Sequence, residues 1–236
     1  MIPDKKLQKG IYWSKAWSLV SGCSPVSESC QNCWLASIEY RFDKVPGVLK
    51  VENGIRKPVF NGHVIFREDR LDIPRKTRKP QVFAIWSDLF HKYIHLQSIN
   101  YLVMDIISTC ETYKKGHIFL ILTKRIERLL EFTKNNLTDY SNVFWGTTCE
   151  NQQRADERIP SLLQVQGERF LSLEPLLGDI NLYPYIGWKA ERDYGIKNGI
   201  HQIIVGAESG PHRRPCKTTG MEQENIKRDH LGVFYF

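Results

Sequence analysis

The sequence predicts an α/β fold, a partial or full (β/α) barrel of mainly parallel strands. Three observations point there. From residue 81 onward, short continuous apolar runs alternate with stretches of helical spacing. Strands apolar on both faces belong to parallel sheets covered by helices. Each apolar run also leads at once into a polar cluster, and barrels build their sites at the C-terminal ends of the strands. The length, 236 residues, falls just under the ~250 of a complete barrel.

The elements follow in order. Residues 12–19 read as a first strand and residues 33–42 as a first helix. Residues 44–61 carry Pro46, Gly47, Asn53, Gly54 and Pro58 among polar residues and read as a loop. Residues 63–67 read as one further strand. Residues 72–80 form a second loop, basic through Arg75, Lys76, Arg78 and Lys79. Residues 81–86 (QVFAIW) form a buried strand. Residues 95–110 place Leu96, Ile99, Val103, Ile106 and Ile107 on one helical face, and Gly116 breaks the helix. Residues 117–122 are the next strand, 125–133 a short helix, 142–147 a strand and 152–163 a helix. Residues 169–173, 200–205 and 231–236 complete the strands. No repeat or linker interrupts them, so residues 1–236 read as one domain. The chain stops within what reads as a strand, and residues 218–230 are polar and short for a crossover helix. A C-terminally shortened barrel, lacking part of its closure, is therefore expected.

Composition narrows the function classes. Hydrophobic residues at 42% and charged residues at 25% allow a real core and exclude disordered and collagen-like chains. Apolar runs such as residues 118–122 are far shorter than the ~20 residues of a membrane span. No apolar segment follows the charged first ten residues, so no signal peptide is visible and a cytoplasmic location is expected. The net charge of +7 favours an anionic partner, nucleic acid or a phosphorylated small molecule, and equally fits a soluble protein with surplus lysine.

Candidate site residues lie at the strand ends. Ser87 and Asp88, Thr123 and Lys124, Glu150 and Asn151, and Ser172 each follow an apolar run. Helix capping is the plainer reading for Ser87, Asp88 and Thr123. It serves Glu174 less well, because Pro175 follows it, and Glu208 stands between small residues. A carboxylate that ends an apolar strand is costly to bury unpaired, so Glu174 and Glu208 are the candidate catalytic residues. His91 sits in the same kind of cluster and is not expected to be a ligand.

The six cysteines are unevenly spread. Cys23, Cys30 and Cys33 fall within eleven residues as C-x6-C-x2-C, on a loop over residues 22–34 with Gly22, Pro25 and several serines. The helix that starts near Cys33 offers N-terminal N–H groups to a thiolate. Structural zinc prefers four closed ligands, and a fourth would have to come from afar. Iron–sulfur clusters usually take four cysteines, so three imply an iron left open for chemistry. Three unligated thiols are a third reading. Cys110 reads as core, Cys149 as a strand-end residue with a role open to it, and Cys216 is left open.

The blocks WSLVSGCSPVSESCQNCW, SDLFH, LTKR, GTTCEN, RFLSLEPLLG and VGAESGPHRRP resemble a phage- and prophage-associated family of uncharacterised function. The three-Cys loop after a first barrel strand is in turn similar to the radical S-adenosylmethionine enzymes. Those usually show C-x3-C-x2-C with an aromatic before the third cysteine; here the first gap is six residues and the aromatic, Trp34, follows. The resemblance implies that Cys23, Cys30 and Cys33 ligate a [4Fe–4S] cluster. Its fourth iron would be chelated by S-adenosylmethionine, which one electron cleaves to a 5′-deoxyadenosyl radical. Ser87, Asp88, Thr123, Lys124, Glu150, Asn151, Ser172 and Glu174 would then contact the cofactor, and Arg213 and Arg214 a phosphate or carboxylate of the substrate. The implied partners are an electron donor such as flavodoxin or ferredoxin and a nucleic-acid or nucleotide-derived substrate. The competing expectation is a nucleic-acid-binding protein with a structural zinc site and no radical chemistry.

Overall fold

Continuous apolar runs can satisfy their backbone groups and bury both faces only inside a helix-covered sheet, and that is how they fold. The structure is a computed structural model that describes residues 11–42, 45–136, 140–185, 199–209, 212–216 and 232–235. In chain order the elements are β1 (Lys15–Ala16), β2 (Val20–Ser21), α1 (Trp34–Phe42), β3 (Leu49–Glu52), β4 (Ile55–Phe60) and β5 (Ile65–Phe66). Then come α2 (Ile73–Lys76), β6 (Val82–Ile85), α3 (Leu96–Ser98), a π-helical stretch (Ile99–Met104) and α4 (Asp105–Thr112). The last are β7 (Ile118–Thr123), α5 (Ile126–Asn135), β8 (Val143–Thr148), α6 (Gln152–Leu162), β9 (Glu168–Leu173), β10 (Gln202–Val205) and β11 (Gly232–Tyr235).

The main sheet runs β1-β6-β7-β8-β9-β10-β11. Its first six strands are parallel and curl into a half-barrel. Strand periodicity divides its side chains between two faces. Phe83, Ile85, Phe119, Ile121, Val143, Trp145, Leu171 and Ile203 belong to the main core with the helices. Ala84, Leu120, Phe170 and Ile204 point into the half-barrel, where Tyr12 joins them. Gly146 lies beside Phe170 in the β8–β9 ladder, and a Cβ there would fall 2.3 Å from the Phe170 ring. The ring thus fills the space a side chain would need.

Several expectations are corrected. The final strand is antiparallel to β10, with Gln202 opposite Tyr235. Residues 218–230, the expected crossover, lie outside the described residues. The segment 44–61 contains a hairpin, because Leu49 pairs with Phe60 and Glu52 with Ile55. Asn53 and Gly54 turn it at φ 53° and 75°, the left-handed pair that two-residue hairpin loops require. Of residues 12–19, Lys15–Ala16 alone pairs with β6. Residues 65–66 pair antiparallel with β2 and not with the barrel sheet. The basic loop contains α2, and the helix expected over residues 95–110 extends to Thr112 through its π-helical stretch. No helix among the described residues is long and apolar enough to cross a membrane.

Candidate functional site

The parallel strands end together. Thr123 lies beside Thr147, and Thr148 beside Ser172. Above these ends opens a cavity of about 630 Å³. Trp86, Lys124, Thr148, Ser172, Glu174 and Glu208 form its floor and sides, and the cysteine loop closes it. Cys23, Cys30 and Cys33 all line it, as do Ser87, Asp88, Thr123 and Arg213. Glu150, Asn151 and Arg214 do not reach its wall.

Three carboxylate–arginine pairs hold the loop over the strand ends. Asp88, after β6, is ion-paired with Arg125 and accepts the Thr123 hydroxyl at 2.6 Å. Arg125 in turn donates to the Ser24 carbonyl at 3.0 Å and its hydroxyl at 2.9 Å. Glu150, after β8, pairs with Arg158 at 3.0 Å, and both side chains are buried. It accepts the Ser29 hydroxyl at 3.0 Å and the Ser29 backbone N–H at 3.4 Å. Glu208, after β10, pairs with Arg214 at 2.5 Å and accepts the Asn32 amide at 2.9 Å. Arg214 also donates to the Glu28 carbonyl at 3.0 Å. Each pair therefore fixes the loop next to a different cysteine. Burial pushes the carboxyls of Glu150 and Glu208 up, but their hydrogen bonds and arginines outweigh it and leave both below the ordinary range.

Glu174 differs. It faces the cavity without an ion pair among the described residues, and its Oε2 accepts the Tyr12 hydroxyl at 3.1 Å and the Ser172 hydroxyl at 3.3 Å. Burial raises its carboxyl above the ordinary range despite those bonds and the nearby Lys124 charge. Lys124 itself lines the cavity, and no described residue forms a hydrogen bond or ion pair with its ammonium.

The thiols are free. Burial, with the Asp88 charge behind it, pushes Cys23 up to about 11 against the opposing Arg125. Burial raises Cys33 too, but the backbone N–H groups of Leu35 and Ala36, in the first turn of α1, bond its sulfur and act the other way. The start of α1 thus lies at the Cys33 sulfur, as its position in the sequence led one to expect. Among the described residues no three His, Cys, Asp or Glu converge on one metal position. A single zinc ion would need such convergence, whereas an iron–sulfur cluster takes each thiolate on a different iron. The donor set on the cavity is three thiols of one loop.

Several candidates also make hydrogen bonds within the fold. Asn151 caps α6 by accepting the Arg154 N–H at 3.0 Å. The Ser87 hydroxyl accepts the Val20 N–H at 3.2 Å, and Thr123 accepts the Arg125 N–H at 2.9 Å. His91 is bonded to the Ser24 hydroxyl at 2.8 Å. Its burial, helped by Arg125, lowers it to about 4, so it stands neutral. Cys110 is core, Cys149 is buried and pushed up to about 12 by that burial, and Cys216 packs partly buried against the core. Sequence reasoning missed Arg125 and Arg158 as loop anchors, and it missed Tyr12, Trp13 and Trp86 as cavity residues. The arginines sat in stretches read as helices, and the aromatics in stretches read as strands.

A family model described as "Protein of unknown function (DUF5131)" matches residues 8–236. The chain belongs to that family. No curated protein and no solved structure matches it.

Proposed function

We propose that this chain is a radical S-adenosylmethionine-type enzyme whose Cys23, Cys30 and Cys33 hold a [4Fe–4S] cluster. One observation carries the reading: three free thiols of a single loop line the cavity at the C-terminal mouth of six parallel strands. Cys23, Cys30 and Cys33 would hold the cluster, which, once reduced by an electron donor, would supply one-electron reduction of S-adenosylmethionine and through it hydrogen abstraction from a substrate.

The chain's own residues do the rest. Arg125, Glu150 and Glu208 keep the three thiols on one side of the cavity through Ser24, Ser29 and Asn32. The N–H groups at the start of α1 favour the Cys33 thiolate. Lys124 offers a cation to a carboxylate or phosphate in the cavity. Glu174, bonded to Tyr12, can hold or give up a proton at Oε1 beside the substrate. The basic loop takes no part, since it precedes β6, at the other end of the strands. Lys115 binds its Arg75 carbonyl at 2.7 Å there.

Anaerobic purification with iron and sulfide analysis tests the reading. The expected result is brown protein whose EPR signal changes when S-adenosylmethionine is added. Colourless protein with one zinc and no sulfide overturns it in favour of a structural metal.

A further inference from the structure

One wall of the cavity is aromatic, and the radical chemistry does not call on it. Trp86, at the end of β6, packs edge-on against three rings. Tyr12 lies at 5.8 Å, Trp13 at 5.2 Å and Trp34 at 5.7 Å between ring centroids. All four rings line the cavity. Trp13 and Trp86 are only partly buried, and Trp34 is 43% exposed. Apolar rings are normally withdrawn into a core, so three indoles left with open surface around one cavity call for a ligand.

The polar groups beside the rings say which kind. The Trp86 indole N–H is buried and has no hydrogen-bond partner, and a buried donor left unpaired costs free energy. The Oε1 of Glu174 is likewise without a partner among the described residues, since Tyr12 and Ser172 both bond Oε2. Lys124 adds a cation on the same cavity. The wall thus presents flat rings, one carboxyl oxygen and one ammonium.

An aromatic box can also bind a cation, but the charges oppose it here. Asp88 and Glu208 are neutralised by Arg125 and Arg214, while Lys124 lines the cavity. A flat, hydrogen-bonding ligand that carries negative charge fits all of these groups together.

We infer that the aromatic wall holds a nucleobase, with Glu174 Oε1 on the base edge and Lys124 on the attached phosphate. Base stacking on aromatic side chains is how sequence-tolerant single-strand binders gain affinity. The inference rests on the radical reading for calling this nucleotide the substrate, but the binding itself requires no cluster. A free nucleotide and a base exposed in a single strand share this chemistry.

Equilibrium binding to the full chain at saturating S-adenosylmethionine tests it, read by tryptophan quenching and by dialysis. The probes are nucleoside 5′-monophosphates, a short single-stranded oligonucleotide and ribose 5-phosphate, with iron and sulfide measured on the same sample. A nucleotide or the oligonucleotide should bind at least about tenfold tighter than ribose 5-phosphate, and whichever binds tighter names the source. Trp13→Ala should weaken binding roughly tenfold. The conservative Trp86→Phe keeps a ring at the centre of the wall and should weaken binding less than Trp13→Ala does. Lys124→Met should weaken nucleoside 5′-monophosphates and ribose 5-phosphate alike. Equal binding of ribose 5-phosphate, or displacement of the nucleotide by S-adenosylmethionine, overturns the inference. Cluster-free protein that still binds nucleotide keeps this site and ends the radical reading; loaded protein that binds none ends this site alone.

Discussion

Glu150, buried at the end of β8, accepts hydrogen bonds from both the hydroxyl and the backbone N–H of Ser29, in the middle of the cysteine loop. The two residues are 121 positions apart. A loop of glycine, proline and serine has no conformation of its own to place three thiols. It takes one from the strand ends, where Asp88, Glu150 and Glu208 reach it through Arg125, directly, and through Asn32 and Arg214. The carboxylates therefore position the loop.

Glu150→Ala should destabilise the protein by about 3–5 kcal/mol, because it strands the buried Arg158 charge. Removing both, as Glu150→Met with Arg158→Met, should restore much of that loss, because two well-packed apolar side chains replace the pair. Denaturant unfolding reads the stability. Faster thiol labelling in the single variant would show that the loop has lost its anchor. Unchanged stability and labelling would mean that the pair does not hold the loop.

Cys30→Ala should lose iron and sulfide together, while Cys110→Ala, in the core far from the cavity, should keep both. Equal metal content in the two variants would place the cluster elsewhere.

Asn151→Ala should cost about 1 kcal/mol as a lost helix cap and leave cofactor affinity unchanged. Calorimetry of S-adenosylmethionine binding beside a melting curve separates the two effects. A large loss of affinity with little loss of stability would return Asn151 to the role of a ligand.

His91 should make the protein acid-sensitive. Its ordinary value of 6.5 falls to about 4 in the fold, chiefly because burial disfavours the charged ring. The unfolded chain thus binds the proton more readily between those values. The stability His91 contributes is complete above 6.5 and is lost as pH falls toward 4. His91→Gln should flatten the stability-versus-pH curve across that window. A parallel curve for the variant would show that the ring is not the source.

Gly146→Ala should destabilise by about 1–3 kcal/mol as overpacking, since the added Cβ meets the buried Phe170 ring. Pairing the change with Phe170→Leu should relieve it. An unaltered melting temperature for Gly146→Ala alone would show that the ring can move aside.

Much of the barrel was legible because its signals are local. The runs at 118–122 and 142–147 are apolar on both faces, and that pattern has few stable outcomes besides a covered parallel strand. The hairpin over Leu49–Phe60 was also written in the chain, in Asn53–Gly54, but that pair was read as part of a long loop. The half-barrel interior was less legible, because nothing near Tyr12 signals that its hydroxyl meets Glu174, 162 positions away.

By itself, then, the sequence determined the alternation of strands and helices, the polar strand ends and the grouping of Cys23, Cys30 and Cys33, since all of these depend on spacing along the chain. The tertiary structure alone decided which strand-end carboxylates have an arginine within reach. Asp88, Glu150 and Glu208 do, and they secure the loop; Glu174 has Tyr12 instead and faces the cavity. The physical reason is that burial and pairing act through space. A carboxylate's role is set by the charge that folding brings beside it, and no local pattern carries that information.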